Sequence, residues 1–330
     1  MPDGSPQGRS LLEVIDLYTH FYTPMGIARA VDGVSFKLEY GISLGIVGES
    51  GSGKSVLSRT IIDILAKNGS VKSKGKIYFE GRDLRSLTDK EMQEVRGRDI
   101  AMVFQNPMSS LNPVKKLGKQ ITEVLRKKNG MGVRDSKIRA IELINSVGIP
   151  DPERQLGRYP MHLSGGMRQR IAIAIALAGD PKLIIADEPT TALDVTIQSQ
   201  ILDLLREQQL KRNMALILIT HNLGVVSSYT DQTAVMYAGQ IVEKGPTKEL
   251  IKKPVMPYTE ALIKSAPNLD ALPHSKLNII PGMPPNVLNP PEGCSFYQRC
   301  SYAEDQCKSE MPLIKAKGCG EHTYRCWYPL

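Results

Sequence analysis

The stretch Gly48-Glu49-Ser50-Gly51-Ser52-Gly53-Lys54-Ser55, followed at once by Val56, decides the fold of this chain. It matches the phosphate-loop pattern G-x-x-x-x-G-K-[ST] at every specified position. The apolar run 42–47 before it predicts a buried strand, and residues 55–65 after it predict a helix. Because the loop works only between a strand and a helix N-terminus, its context supports the pattern. We therefore expect a nucleotide site at residues 48–56.

Each part of this loop has a chemical reason. Glycines let successive backbone N–H groups point inward at phosphate oxygens, and the dipole of the following helix adds positive potential. Lys54 is expected to reach the β- and γ-phosphates, and the Ser55 hydroxyl to ligate Mg²⁺. The competing interpretation is a glycine-rich turn that binds nothing.

Length and composition suit one large domain with appendages, or two domains. The chain has 330 residues, of which 41% are hydrophobic, so it can bury a sizeable core. Proline becomes frequent after about residue 246, which marks a loop-rich extension. We expect a nucleotide-binding domain at 1–245 with a helical subdomain at about 106–163. A C-terminal extension at 246–330 would carry a cysteine-rich segment at 294–326.

Charge and hydropathy exclude several function classes. The net charge is +8, but the basic residues are dispersed and no zinc finger or long basic tail is present, so we expect no nucleic acid. The N-terminus lacks the apolar core of a signal peptide, and no apolar run approaches the roughly 18 residues that span a bilayer. We expect a cytoplasmic protein that acts at a membrane, if at all, by docking on other subunits.

The order of patterns predicts an α/β fold. Residues 11–15 and 30–38 alternate as in an antiparallel sheet with one covered face, and 75–79 adds a strand after the first helix. Residues 106–163 are charged and helix-favouring, with Ser136 as a candidate N-cap. Continuous apolar runs at 183–186 and 215–219 are typical of central parallel strands.

Two carboxylates end the run at 183–186. A strand that ends at Asp187 carries this side chain to the carboxyl edge of the sheet, where it can support Mg²⁺. Glu188, the next residue, is a candidate general base that polarises the attacking water. The alternative is a buried strand capped by two acidic turn residues.

A second phosphate-binding element is predicted at residues 163–169. Ser164, Gly165 and Gly166 open an apolar helix, so a hydroxyl, bare N–H groups and a positive dipole end coincide. An ordinary serine N-cap would look the same. Two phosphate cradles far apart in one chain indicate that two chains sandwich each nucleotide.

Two further side chains follow strands and complete the candidate site. The Gln105 amide could contact Mg²⁺ or water where the helical insertion begins. His221 follows the run 215–219 and could hydrogen-bond the γ-phosphate and orient the water. Either residue alone is more often structural.

In this order the elements resemble the nucleotide-binding subunit of ABC transporters, over roughly residues 10–265. The matching pieces are the phosphate loop, Gln105, Leu163-Ser164-Gly165-Gly166, Asp187-Glu188, Ala192-Leu193-Asp194 and His221. The resemblance implies an ABC-type P-loop ATPase in which Ser164 and Gly166 contact ATP held by a partner chain. It also implies that Asp194 lines the dimer interface and that Phe21, or alternatively Tyr22, stacks on adenine. The helical insertion would receive the coupling helix of the transport subunit.

Four parts of the sequence resemble the peptide-importer branch of this family, and its D-type subunit more than its F-type subunit. They are Met167, the run 104–113, Gly282-Met283-Pro284-Pro285 and the run 294–303. The resemblance implies an ATPase that energises import of di- or oligopeptides from the cytoplasmic face of the membrane. Expected partners are two permease subunits, a second and homologous ATPase subunit that is expected to be a different chain, and a peptide-binding protein reached through the permeases. A nickel importer ATPase, a soluble non-transport ABC ATPase and a small-molecule kinase are the alternatives.

All five cysteines follow residue 293, at the spacing Cys294-x5-Cys300-x6-Cys307-x18-Cys326 with Cys319 between the last two. So few apolar residues surround them that the segment is expected to need an organising centre. A [4Fe–4S] cluster on Cys294, Cys300, Cys307 and Cys326 is one interpretation. Structural zinc, recruiting His322 or Cys319, is the second. Free or disulfide-bonded cysteines are the third.

Overall fold

A computed structural model describes residues 10–67, 69–191, 193–265, 279–318 and 321–330. Its strands, in chain order, are β1 (Ser10–Thr23), β2 (Gly26–Glu39), β3 (Ser43–Val47), β4 (Val71–Phe79), β5 (Arg82–Asp83), β6 (Ile100–Val103), β7 (Leu183–Asp187), β8 (Ala215–Thr220), β9 (Gln232–Tyr237), β10 (Gln240–Pro246), β11 (Lys315–Lys317) and β12 (His322–Tyr324).

The α-helices lie between and after these strands. They are α1 (Lys54–Ile61), α2 (Asp89–Val95), α3 (Pro107–Ser110), α4 (Leu117–Asn129), α5 (Val133–Ser146), α6 (Pro152–Leu156), α7 (Gly165–Leu177), α8 (Val195–Arg212), α9 (Leu223–Tyr229), α10 (Thr247–Lys252), α11 (Pro257–Ser265) and α12 (Gln306–Ser309).

The chain divides into two compact units, one of which comprises Ser10–Leu38, Ser43–Arg85 and Thr220–Leu330. An antiparallel subdomain in this unit has the strand order β2-β1-β4-β5, with β1 and β4 paired from Leu12↔Phe79 to Phe21↔Val71. A second set of strands runs in the order β11-β12-β10-β9-β3. In this set β3 and β9 are parallel, whereas β9–β10, β10–β12 and β12–β11 are antiparallel, so one parallel pair joins an antiparallel edge.

The other unit contains Glu39–Ile42 and Ser86–Ile219. Its strands β6, β7 and β8 are parallel, with Ile100 opposite Leu183 and Asp187 opposite Ile219. Every residue of β7 is buried, as expected for a central parallel strand. Helices α3 to α6 lie within the predicted helical insertion at about 106–163; α4 packs on α5, and both contact α7, which follows the insertion.

The antiparallel β subdomain and the parallel α/β core confirm the predicted fold class. Two helix bounds differ from the sequence predictions. Helix α1 ends at Ile61, before Asp63 with φ 51°, whereas we expected it to reach residue 65. Helix α5 begins at Val133 with Gly132 as N-cap, so Ser136 lies inside it and bonds the Val133 carbonyl. The helical spacing of the apolar residues did not reveal this first turn of α5.

The C-terminal extension is organised by the core of its own unit. Phe296, Ile280 and three of the cysteines are buried in one cluster with Tyr237 of β9 and Tyr258 of α11. Strand β12 also pairs with β10, which attaches the tail to the sheet. The cysteine-rich segment therefore packs on the core of its unit, a set of contacts that the sequence analysis did not predict.

In the part of the chain that the structure describes, no helix is both long enough and apolar enough to cross a bilayer.

Candidate functional site

The phosphate loop lies between buried strand β3 and helix α1, as its pattern predicts. Gly51 and Gly53 have φ values of 80° and 100°, which side chains with a Cβ rarely adopt. A Cβ on Gly48 would lie 2.1 Å from the Met236 carbonyl oxygen, and one on Gly53 would lie 2.0 Å from the Ala30 carbonyl oxygen. The loop therefore requires glycine both for its backbone shape and for close packing.

Lys54 places its ammonium group at the centre of this loop. Its Nζ donates to the carbonyl oxygens of Gly48 and Glu49, each at 2.8 Å, and to Ser52 Oγ at 3.4 Å. The side chain is only 5% exposed. Glycine backbone, a helix N-terminus and a buried ammonium together make a fixed anion-binding geometry, because N–H dipoles and charge meet at one place.

Glu49, a position that the phosphate-loop pattern leaves free, has partners in the C-terminal extension. Its N–H donates to Tyr258 Oη at 3.0 Å, and its carboxylate accepts from Arg299 Nη1 and Nη2 at 2.6 and 2.9 Å. The sequence analysis gave neither Tyr258 nor Arg299 a role. No local signal marks them, since each is far from the loop along the chain.

In the other unit, Gln105 and Glu188 lie in contact, although the sequence analysis assigned them separate roles and predicted no bond between them. Glu188 Oε2 accepts from Gln105 Nε2 at 3.1 Å and from Thr191 Oγ1 at 3.0 Å. Glu188 has a φ of 46°, a strained value for a residue with a side chain, and its N–H donates to the Ile219 carbonyl at 2.9 Å. Backbone and side-chain contacts thus fix this carboxylate just beyond β7.

Asp187 ends β7 and is 1% exposed. Thr191 is a contact that the sequence analysis missed; a hydroxyl residue three positions after the candidate base was the available signal. His221 directly follows β8 and is exposed. The structure leaves the chemical roles of Asp187 and His221 as predictions.

The second predicted cradle lies at the start of α7. Ser164 is the N-cap, its Oγ accepts from the Met167 N–H at 3.3 Å, and both Ser164 and Gly165 are exposed. A Cβ on Gly166 would lie 2.8 Å from Ile197 Cγ2, so α8 constrains this position. The serine is thus an N-cap at an exposed helix terminus, and its contact with a phosphate remains a prediction.

Asp194 is exposed and forms the N-cap of α8, and Ala192 lies outside the described residues. Phe21 and Tyr22 lie near the end of β1, where Phe21 pairs with Val71. Tyr22 is 41% exposed, and Lys72 Nζ lies 4.7 Å from its ring centroid. The adenine contact of either ring and the interface role of Asp194 remain predictions.

The cysteine segment does not provide a metal site as placed. Cys294, Cys307 and Cys326 are buried and Cys300 is half-buried, all as free thiols, and burial raises the pKa of Cys294 and of Cys326 to about 11. Within the described ranges, no group of three or more His, Cys, Asp or Glu side chains could hold a metal ion. The predicted [4Fe–4S] cluster and its zinc alternative are therefore not supported.

The two remaining candidate metal ligands are His322 and Cys319. His322 Nε2 lies 2.7 Å from Glu243 Oε1 in a buried pair, which gives this histidine a structural partner on β10. Cys319 lies outside the described residues.

Comparison with solved structures agrees with this fold. The dimeric post-hydrolysis state of the ATP-binding cassette MJ0796 bound to ADP and Pi matches with a TM-score of 0.64 and 26% identity, over 72% of this chain and 98% of that one. CbiO1 from Clostridium perfringens, part of the ABC transporter complex cbiONQ, matches with a TM-score of 0.62 and 27% identity, over 74% and 91% of the two chains. The class defined by fold and phosphate loop is the ATP-binding cassette ATPases.

Sequence comparison narrows this class. The family model for ABC transporters matches residues 31–191, and the model for the C-terminal region of oligopeptide/dipeptide transporters matches residues 242–307. The oligopeptide transport ATP-binding protein OppD of Bacillus subtilis is 50% identical over 96% of this chain and 88% of its own length. The dipeptide transport ATP-binding protein DppD of Escherichia coli is 46% identical over 97% of both chains. The chain belongs to the family of ABC ATPases that these oligopeptide and dipeptide transport ATP-binding proteins form.

Proposed function

We propose that this chain is the ATP-hydrolysing subunit of an importer for di- or oligopeptides. The observation that carries the proposal is the phosphate loop, in which glycine geometry and the buried Lys54 ammonium make a rigid anion site. The peptide substrate rests on the relatives, whose names state oligopeptide and dipeptide transport.

Each side chain has a proposed role in hydrolysis. The loop N–H groups and Lys54 hold the β- and γ-phosphates, and Ser55 and Asp187 supply the hard oxygen donors that Mg²⁺ prefers. Magnesium, when bound, offsets negative charge on the phosphate oxygens. Glu188 accepts a proton from the attacking water as general base, and its bonds to Gln105 and Thr191 hold the carboxylate in one orientation.

Coupling to transport requires partners. We infer that the chain docks on two permease subunits at the cytoplasmic face of the membrane, with a second ATPase chain of the same family opposite it. The solvent-exposed Ser164 and Gly165 at the start of α7 are available to a nucleotide held by that second chain. ATP binding would close the pair, and hydrolysis would reopen it.

The test is peptide uptake by vesicles that contain this chain together with its permeases and peptide-binding protein. Wild-type complex should accumulate a labelled dipeptide only with MgATP inside the vesicle, on the side of the ATPase chain, and with the peptide-binding protein outside. Glu188→Gln should retain ATP binding but lower kcat for hydrolysis by about 10²- to 10⁴-fold. Lys54→Ala should lose ATP binding as well. As a matched control, Glu207→Gln, an exposed residue paired with Lys211, should leave both activities unchanged.

Three results would contradict parts of the proposal. Wild-type turnover in Glu188→Gln would remove Glu188 as the base. ATP-dependent uptake of Ni²⁺ without peptide uptake would replace the substrate class. Hydrolysis with neither uptake nor retention of permeases during purification would favour a soluble ATPase.

A further inference from the structure

The phosphate loop is held from outside by the C-terminal extension through one ion pair. Arg299 binds both carboxylate oxygens of Glu49, with Nη1–Oε2 at 2.6 Å and Nη2–Oε1 at 2.9 Å. The Arg299 side chain is 5% exposed and that of Glu49 is 24% exposed. Such a bidentate pair has directional, charge-assisted hydrogen bonds, and removal of one partner from a largely desolvated pair leaves an uncompensated charge.

The guanidinium group is itself fixed by neighbours within the same unit. Its Nε donates to the Pro281 carbonyl at 2.8 Å, and Nη1 also donates to Tyr237 Oη at 3.2 Å. Because its position is set by both the extension and β9, Arg299 can restrict Glu49 rather than merely follow it.

Glu49 is restrained at three points in total. Besides the carboxylate, its N–H donates to the buried Tyr258 hydroxyl at 3.0 Å, and its carbonyl accepts from Lys54 Nζ at 2.8 Å. Lys54 is the residue proposed to bind the phosphates. Glu49 therefore links Arg299, which binds its carboxylate, to the Lys54 ammonium group, which donates to its carbonyl.

The charge of Glu49 also affects the site directly. Without Arg299, an unneutralised carboxylate would remain in a loop that must accept a polyphosphate, and like charges in a partly desolvated site repel strongly. Arg299 thus both positions the loop and cancels this negative charge.

We propose that Arg299 is a positioning residue for the phosphate loop, so that the C-terminal extension sets the affinity of this chain for ATP. The inference rests on the proposed ATP binding at residues 48–55. It assigns a function to the extension that requires no metal and no partner protein.

The test measures the MgATP dissociation constant of the full chain by calorimetry in Arg299→Ala, Glu49→Gln, Arg299→Lys and the double variant. Arg299→Ala should raise the dissociation constant about tenfold, equivalent to about 1.4 kcal/mol. Adding Glu49→Gln to Arg299→Ala should recover most of the affinity, because it removes the uncompensated charge. Arg299→Lys, which keeps the charge but loses the bidentate geometry, should fall between wild type and Arg299→Ala.

Lys308→Ala is the matched control, since it deletes an exposed ion pair with Asp305 elsewhere in the extension, and it should bind ATP as wild type does. Equal weakening in Arg299→Ala and the double variant would overturn the proposal in favour of a packing effect. Wild-type affinity in Arg299→Ala would also overturn it. If Arg299→Ala fails to fold, Arg299→Lys with and without Glu49→Gln makes the same comparison. Absence of ATP binding by the wild type would instead reject the proposed function.

Discussion

Gly53 shows how much of the candidate site depends on single backbone positions. Its φ of 100° and the 2.0 Å approach of a built Cβ to the Ala30 carbonyl exclude any side chain. We expect Gly53→Ala to lose ATP binding and to lower the free energy of unfolding by about 1 to 2 kcal/mol from backbone strain alone. Calorimetry and denaturant titration check both effects. Gly157→Ala, where the built Cβ meets nothing closer than 3.7 Å, should change neither; wild-type ATP affinity in Gly53→Ala would contradict this account.

Glu123, on helix α4 of the helical insertion, makes the stability of the fold depend on pH. Hydrogen bonds from Lys127 and then Lys115 lower the pKa of this carboxyl from 4.5 to about 2. A depressed native pKa stabilises the fold above the unfolded pKa, and this stability is lost as pH falls from 4.5 towards 2. Because the side chain is 36% exposed, solvent screening limits the effect.

Glu123→Gln should therefore lower the free energy of unfolding by less than about 1 kcal/mol at pH 7. The difference from wild type should shrink below pH 4.5 and vanish near pH 2. Urea titrations at several pH values measure it. A stability difference between wild type and Glu123→Gln that grows as the pH falls would contradict the lowered pKa of Glu123.

Residues of the site were predictable where a local pattern encodes their chemistry. The phosphate loop needs glycines and Lys54 in fixed order, and Glu188 follows an apolar strand, so both were visible in sequence. Arg299 and Tyr258 were not, because their role depends on contacts with Glu49 that only the folded chain creates. The structure also gives Ser164 its N-cap bond, although sequence alone could not separate capping from phosphate binding.

At the scale of elements, a buried pair joins the end of the tail to the body. Glu243 on β10 is 0% exposed and accepts N–H groups of Val255 and Met256 at 2.8 and 3.0 Å, and it also contacts His322 on β12 at 2.7 Å. Glu243→Ala would leave three buried polar groups without this partner. We expect it to lower the free energy of unfolding by about 3 to 5 kcal/mol.

Hydrogen exchange of residues 315–317 and 322–324 should accelerate in Glu243→Ala if the pair fixes the tail strands. Glu207→Ala, which removes an exposed helical pair with Lys211, should cost less than about 0.5 kcal/mol and leave this exchange unchanged. Equal costs for the two variants would contradict the importance of the buried pair.

Strands and helices were predictable to the extent that their burial is periodic. The wholly buried β7 and β8 follow directly from apolar runs at 183–186 and 215–219. Helix α1 ends earlier than its composition predicts, where Asp63 takes a φ of 51°. The packing of the cysteine-rich segment at 294–326 was not predictable, because its core partners Tyr237 and Tyr258 lie far upstream and meet it only through folding.

At the scale of the whole molecule, function is proposed to require a second ATPase chain, and ATP should control this association. In Glu188→Gln, bound ATP persists, so light scattering after gel filtration of this variant mixed with the second ATPase chain should show a dimer with MgATP and monomers with MgADP. The solved dimeric cassette with ADP and Pi is a precedent in the same fold class. The proposed contact of Ser164 with the partner's nucleotide predicts how that dimer can be broken.

Ser164→Asp in the Glu188→Gln background separates the two roles of this serine. Aspartate is an equally good N-cap, so α7 and the melting temperature should be preserved. Its negative charge, however, would face the phosphates of the nucleotide across the interface and should abolish the ATP-dependent dimer. Ser164→Thr keeps a hydroxyl and should retain it. A normal dimer in Ser164→Asp would mean that the serine only caps its helix, because a phosphate contact could not tolerate a carboxylate in its place.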